Sequence, residues 1–511
     1  MQKVASLADL PVDRGLRVEV GGEQILLVRD GDAVRAYSAI CPHAGGPLEE
    51  GAVCNGRIVC PWHKGAFRVS DGSLVEPPAL DGLSRYPVRL DGGDIYVEPK
   101  AEPQPQARSH ADSRTFVIAG AGAAGGTAAV ALRGFGFGGR ILLIGREPGM
   151  PFDRTSLSKF VVAGEMKPEE TPLLRPDDYY TKHKIERIEA EVARFDVTRR
   201  ELTLADNRTI AFDCALIAPG GEAKTPEIPG VDKAGVHVLR SREDAAAILG
   251  DLRPGARAII LGSSFIGLEV ASCLRAQKAS VTVISPEEIP FARQFGEEIG
   301  RSIRSLHEAN GVVFEAPAKA AKLEGEARIS ELVLEDGRRL AADLVVVGVG
   351  VRPATRFVVG AELTKDKGLP VDATLRLAEG IYVAGDAAAF PLGPEGKPIR
   401  IEHWRVAQQQ ARIAAANMMG GNRPYEDTPF FWTYHYGKNF EYLGHADTWD
   451  DEVVRGDIAK QQFVALFLQG ERLAAVVACE RQRLTSALVE RMRAPLMRDE
   501  ALRMVEDRRF A

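Results

Sequence analysis

The chain has 511 residues, 65 basic and 71 acidic side chains, a formal net charge of −6 and 45% hydrophobic residues. That length suits roughly three or four domains, and the mixed, slightly acidic charge excludes the basic stripe of a nucleic-acid-binding protein, so small molecules or proteins are the expected partners. Six cysteines make no disulfide framework at this length, the first ten residues lack a signal pattern, and no apolar run reaches the ~18 residues of a membrane span, so a cytoplasmic protein with no membrane partner is expected. From residue 1 to 98, short alternating segments (16–20, 24–28, 58–59) broken by Gly and Asp-Gly predict a small antiparallel β unit. Inside it lie Cys41-x-His43 and, after sixteen intervening residues, Cys60-x-x-His63. Two loop tips then present one thiolate and one imidazole each. Two soft thiolates suit one iron and two imidazoles the other in a two-iron, two-sulfur cluster, while the same four side chains also suit a structural zinc.

Pro42 and Pro61 after the cysteines, Gly45-Gly46, Trp62 and Gly65-x-Phe67 resemble the two cluster loops of ferredoxin-type Rieske proteins. The resemblance implies a [2Fe-2S] cluster with Cys41, His43, Cys60 and His63 as its metal ligands. The disulfide pair and the serine of the high-potential respiratory branch are replaced by Gly45 or Gly46, Trp62 and Ala66, which places the expected potential near the low end, about −150 mV.

Residues 99–113 are polar, proline-rich and without periodicity, so they read as an extended linker. The stretch 115–126, TFVIAGAGAAGG, then runs a hydrophobic strand into Gly120-x-Gly122-x-x-Gly125, with Ala123 and Ala124 opening a helix. Gly120 permits the tight turn, Gly122 lets backbone approach a pyrophosphate, and Gly125 lets helix and strand pack closely. Glu147, about 20 residues beyond the glycines at the end of the next apolar run, suits the ribose hydroxyls. Pro151-Phe152-Asp153-Arg154 and Leu157-Ser158-Lys159 resemble the matching stretch of the ferredoxin reductases that serve oxygenases and of the apoptosis-inducing-factor family. That resemblance implies FAD, with Arg154 at its adenine half and Lys159 beside its isoalloxazine ring. The stretch has no cysteine pair, which excludes disulfide-reductase chemistry. Further on, 215–221 reads as a buried strand ending in a glycine turn. In 380–390 a strand ends at Gly385-Asp386, where Asp386 would accept a ribityl hydroxyl and a following helix start would face the pyrophosphate.

An insertion, 228–351, repeats the plan: a strand at 258–261, then Gly262-Ser263-Ser264-Phe265-Ile266-Gly267, a helix, and a second strand at 281–284. Ser264 holds the middle glycine's place, and its hydroxyl is expected to donate to phosphates of a nicotinamide dinucleotide. Glu287 follows the second strand with no base before Arg293, which favours NADH, with NADPH possible. By the same resemblance, Glu269 pairs with Lys159 as the catalytic ion pair across the cleft. The buried run 343–353, with Gly350 in its glycine turn, returns the chain to the flavin domain. The helix from Trp404 resembles the one lying under the flavin, and Trp432 matches a tryptophan that reaches toward it, although a plain core aromatic explains the same letter.

The expected fold is multidomain: an all-β Rieske domain (1–98), the linker (99–113), an FAD-binding domain (114–227 and 352–424) interrupted by a nested NAD(P)H-binding domain (228–351), and a small α+β C-terminal interface domain (425–511). The two dinucleotide domains are Rossmann-like and nested as in glutathione reductase. The expected function is electron transfer from NADH through FAD to the fused cluster and on to a redox acceptor protein such as an oxygenase, as a monomer or homodimer. An NADH-responsive redox sensor of the apoptosis-inducing-factor kind is the alternative.

Overall fold

The computed structural model describes residues 1–103, 110–393 and 396–510, so 104–109 of the expected linker lie outside the described residues. Two four-stranded antiparallel sheets and one three-stranded sheet build the N-terminal part. One holds Leu16–Val20, Glu23–Asp30, Ala33–Ser38 and Arg85–Tyr86; another holds Ala52–Cys54, Arg57–Val59, Ala66–Arg68 and Leu74–Glu76. Their alternating apolar residues meet in a core of Leu26, Val28, Tyr37, Ile58 and Phe67 that also buries Cys41 and Cys60. The linker is stapled where described: Glu102 N–H donates to Arg85 O (2.8 Å) and His110 N–H to Gly136 O (2.9 Å).

The strand Thr115–Ala119 lies in a sheet with neighbours Arg140–Gly145 and Cys214–Ile217, flanked by Ile185–Glu189 and Ile381–Val383, all parallel, with Arg376–Ala378 antiparallel at the edge. Near-continuous apolar runs are what a parallel sheet covered on both faces demands. The Ala123–Gly134 and Trp404–Met418 helices cover one face, packing closely because both are rich in alanine. The second, wholly parallel sheet runs Val236–Val238, Leu344–Val347, Arg257–Leu261, Ser280–Ile284, Val312–Glu315. Its first and last segments in the chain rejoin the first sheet's unit through the antiparallel pair Gly221–Ala223 and Val351–Pro353. The C-terminal part is a five-stranded antiparallel sheet from Phe430–His435 to Arg472–Cys479 with the helices Gln482–Arg491 and Arg498–Glu506.

One local expectation changes. After Asp386 the chain makes only a short 3-10 turn, Gly385–Ala387, and continues as the strand Ala388–Leu392. Gly385 at φ 76° turns the backbone too sharply for a helix to start, and its N–H donates instead to Gln410 Oε1 on the Trp404–Met418 helix (2.8 Å). Among the described residues no helix is long and apolar enough to cross a membrane.

Candidate functional site

The two Cys-His loops close in the same way. Cys41 N–H donates to Gly46 O (2.8 Å) and Cys60 N–H to Gly65 O (2.9 Å), each five residues on, so each loop folds back beneath its cysteine. The histidines meet with Nδ1 atoms 3.1 Å apart, and the two cysteine sulfurs share a hydrogen bond. That bond raises the Cys41 pKa and lowers that of Cys60, leaving Cys60 the readier thiolate. Burial holds both imidazoles below their usual pKa, hence neutral, as metal ligands must be. Among the described residues no three His, Cys, Asp or Glu side chains converge on one ion position. The donors instead form a sulfur pair and a nitrogen pair, which fits two irons ligated unequally and not one tetrahedral zinc.

A cleft of about 1070 Å³ opens above the ends of the first parallel sheet. Gly120, Gly122, Ala123, Ala124, Glu147, Arg154, Lys159, Asp386, Trp404 and Trp432 all line it, as do Phe265, Ile266 and Glu269 from the inserted unit. The glycines sort by what crowds them. A Cβ on Gly120 would sit 1.9 Å from Ala218 O and one on Gly125 1.8 Å from Gly120 O, whereas one on Gly122 would meet nothing within 4 Å. The first two keep turn and helix close, and the third leaves the helix N-terminus open to an anion. His403 Nδ1 and Trp404 Nε1, buried on residues lining the cleft, have no partner among the described groups. Open backbone and orphaned polar atoms lining one cleft fit a dinucleotide such as FAD.

Several charges inside the cleft are paired. Arg154 reaches both oxygens of Glu147 and the Arg240 carbonyl. Burial works to raise the Glu147 pKa, but Arg154's hydrogen bonds and charge hold it below the usual range. Asp386 Oδ2 lies 2.9 Å from Arg240 Nη2, a partner that no motif announces. Lys159 Nζ lies 2.9 Å from Glu269 Oε2. Glu269 accepts further hydrogen bonds from Ser158 Oγ, from Thr433 Oγ1 (2.9 Å) and from Tyr434 N–H (3.2 Å). Thr433 in turn meets His435 Nε2 (3.0 Å), whose Nδ1 meets His307 Nε2 (3.3 Å). Ser158, Thr433, His435 and His307 belong to this network although spacing alone did not single them out.

The cluster loops and the cleft share a wall. The Trp432 ring lies 4.2 Å from the His63 ring and lines the cleft, with Lys159 Nζ 5.8 Å from its centroid. His43 Nε2 lies 3.9 Å from Asp153 Oδ2.

The second glycine turn reaches the cleft through Phe265 and Ile266. Gly262, Ser264, Gly267, Glu287 and Gly350 are absent from the cleft lining. A Cβ on Gly267 would lie 2.4 Å from Gly262 O, the same close helix-to-turn packing. The Ser264 hydroxyl donates to Gly348 O (2.6 Å) and caps Gly267 N–H (3.3 Å), so it helps to hold the turn. Ser285, fully buried, bonds Ser263 Oγ (2.8 Å) and tethers the exposed Glu287 (3.3 Å) at the strand end.

Comparison with known proteins agrees with this layout. The Rieske [2Fe-2S] domain family matches residues 1–87, the pyridine nucleotide-disulphide oxidoreductase family residues 114–411, and the reductase C-terminal family residues 430–499. Human apoptosis-inducing factor 3 is 33% identical over 506 residues, covering 95% of this chain and 83% of its own. The ferredoxin–NAD(+) reductase component of the biphenyl dioxygenase system of Paraburkholderia xenovorans is 36% identical over 353 residues, 69% of this chain and 86% of its own. Among solved structures, the covalent putidaredoxin reductase–putidaredoxin complex superposes with a TM-score of 0.73 at 27% identity, covering 77% of this chain and 99% of the other. With all six cysteines free, no redox disulfide accompanies the family's name here. This chain belongs to the pyridine nucleotide-disulphide oxidoreductase family, and carries a Rieske [2Fe-2S] domain before that region and a reductase C-terminal domain after it.

Proposed function

We propose that the chain moves electrons from NADH, by way of FAD in the cleft, to a Rieske cluster on Cys41, His43, Cys60 and His63, and from there to a redox protein acceptor in the cytoplasm. The contact of His63 with Trp432 carries this reading, because one ring belongs to a cluster ligand and the other to the cleft wall. FAD, when bound, supplies the conversion of a hydride's electron pair into single electrons that a cluster can take.

The protein's share is binding, orientation and exclusion of water. The open N-terminus of the Ala123–Gly134 helix takes the pyrophosphate, Glu147 with Arg154 takes the adenosine half, and Asp386 takes the ribityl chain. The Lys159–Glu269 pair joins the two dinucleotide units across the cleft, so it would hold the units that bind flavin and nicotinamide in register and present the Lys159 Nζ to the bound cofactors. Glu269, nearly buried, is fixed in place by four donors, Ser158 Oγ, Lys159 Nζ, Thr433 Oγ1 and the Tyr434 N–H. Trp432 fills the space between cleft and cluster loop, where water would otherwise enter. Glu287 accepts ribose hydroxyls and repels a 2′-phosphate, which selects NADH. The reductase relatives named for dioxygenase systems support an oxygenase-type acceptor. We assign the domains as 1–98, 114–227 with 352–424, 228–351, and 425–511, joined by the 99–113 linker.

An anaerobic titration with NADH and with NADPH, following flavin absorbance and the electron spin resonance of the cluster, tests this. NADH should bleach the flavin and bring up a reduced-cluster signal at lower concentration than NADPH. A fully bleached flavin beside a cluster that stays oxidised would refute the route through Trp432.

A further inference from the structure

The Rieske domain is held to the reductase by more than its cluster edge. Val59 and Ala66 of the Rieske sheet are buried in one apolar cluster with Phe430, Leu443, Leu484 and Leu488 of the C-terminal domain. The loop that carries Cys60 and His63 takes its hydrogen bonds from the reductase. Arg405, fully buried, donates to Lys64 O (2.8 Å), to Pro77 O (3.1 Å) and to Glu76 Oε2 (2.6 Å). Lys64 itself, also fully buried, pairs with Glu441 Oε1 (2.8 Å), and Ser486 Oγ donates to Cys60 O (3.3 Å). Domains joined only by polar contacts move against each other, but a shared apolar core resists separation, and ion pairs inside it fix the register.

Seated this way, the histidine edge faces the reductase, with His63 on Trp432 and His43 beside Asp153. The rim beside it is open, with the Trp62 ring 6.4 Å from the His63 ring, edge to face. Pro42, Ala44, Gly45 and Trp62 are exposed, Trp62 by 41%. Its indole lies across Gly46 from the cysteine ligand, where an added Cβ would come 2.9 Å from Cys60 Sγ and 3.3 Å from the Trp62 ring.

We propose that the Rieske domain stays seated on the reductase throughout turnover, and that a one-electron carrier protein collects electrons at the exposed Trp62 rim, on the side of His63 that Trp432 leaves free. This rests on the reading that flavin and cluster exchange electrons across Trp432. Each NADH then yields NAD⁺, one proton and two electrons, and two carriers are each reduced once. An exposed indole beside a cysteine ligand, flanked by exposed Pro42, Ala44 and Gly45, suits the face of a carrier protein.

Seating is tested with cysteines at Asp81 and Arg175, which form an ion pair across the two domains, in a Cys54→Ser background, joined by a cleavable bis-methanethiosulfonate. If the domain stays seated, the linked protein reduces cytochrome c through its cluster within about 2-fold of the unlinked rate; a loss beyond about 10-fold, recovered on cleaving the link, overturns the proposal. Small-angle scattering gives a second readout: the radius of gyration should be the same before and after NADH, and an increase on reduction counts against seating. Absence of the reduced-cluster resonance in linked and unlinked protein alike would refute the flavin-to-cluster route itself, a separate failure. For the rim, Trp62→Ala and Trp62→Phe are compared by stopped flow after the cluster has been reduced with NADH. Reoxidation by cytochrome c should slow by about 5-fold or more in the alanine variant and recover in the phenylalanine one. An unchanged rate in Trp62→Ala places the exit elsewhere.

Discussion

Lys159 and Glu269 are far apart in sequence yet 2.9 Å apart in the fold, and the rest of the Glu269 cage decides what happens when the lysine is removed. In Lys159→Ala the carboxylate keeps Ser158, Thr433 and the Tyr434 N–H, so the protein should fold while flavin reduction by NADH slows by about 10- to 100-fold. Stopped-flow absorbance checks this, and a wild-type rate would remove Lys159 from hydride transfer. The buried histidines give a pH prediction. Burial first, then nearby positive charge, pushes His403 and His435 from the usual 6.5 down to about 3. Folded pKa values below the unfolded one mean that their stabilising contribution is complete above pH 6.5 and is lost as pH falls toward 3, by about 1.4 kcal/mol per pH unit for each histidine. Thermal unfolding between pH 7 and 4 should show a falling midpoint, with a shallower slope in His435→Gln.

At the scale of elements, the Trp404–Met418 helix does two tasks. Its N-terminus borders the cleft through Trp404 and Ala407, and its buried polar residues Arg405 and Gln409 both reach Glu76 of the Rieske sheet. Its alanine-rich pattern reads as plain packing, but Arg405 followed by Gln408, Gln409 and Gln410 on a buried face signals a polar interface that periodicity alone does not interpret. Arg57 and Arg493 complete the group around Glu76, and burial opposes its ionisation while these arginines hold its pKa below the usual value. Arg405→Leu removes the central cation from fully buried surroundings, which should cost about 3–5 kcal/mol. Differential scanning calorimetry should show a lowered or split transition, with the Rieske strands losing hydrogen-exchange protection first.

For the whole molecule, the cluster and the flavin are separable by mutation because their ligands come from different sheets. Cys41→Ala should abolish the cluster's resonance and leave flavin reduction by NADH intact, since Cys41 lies in the Rieske core and not among the cleft residues. A sizing column run anaerobically with and without NADH should give one unchanged elution volume. A shift on reduction would favour the sensor alternative over electron delivery.

Much of the site was legible from sequence because its chemistry is local. A glycine triplet after a strand, two Cys-His loops and a Leu-Ser-Lys stretch each place their functional atoms within a few residues, so spacing alone reports geometry. The turn after Asp386 is not legible locally because the Gln410 side chain that engages the Gly385 N–H lies 25 residues further along the chain. The hydrogen bond from Ser264 to the Gly348 carbonyl is not legible in sequence, because the two residues lie 84 apart in the chain. Sequence by itself determined the cofactor classes and the order of domains. Tertiary structure decided which way the cluster faces and what holds it there, because Trp432, Arg405 and Glu441 meet the Cys60–His63 loop across some 340 to 380 residues of chain, a separation over which no local pattern survives.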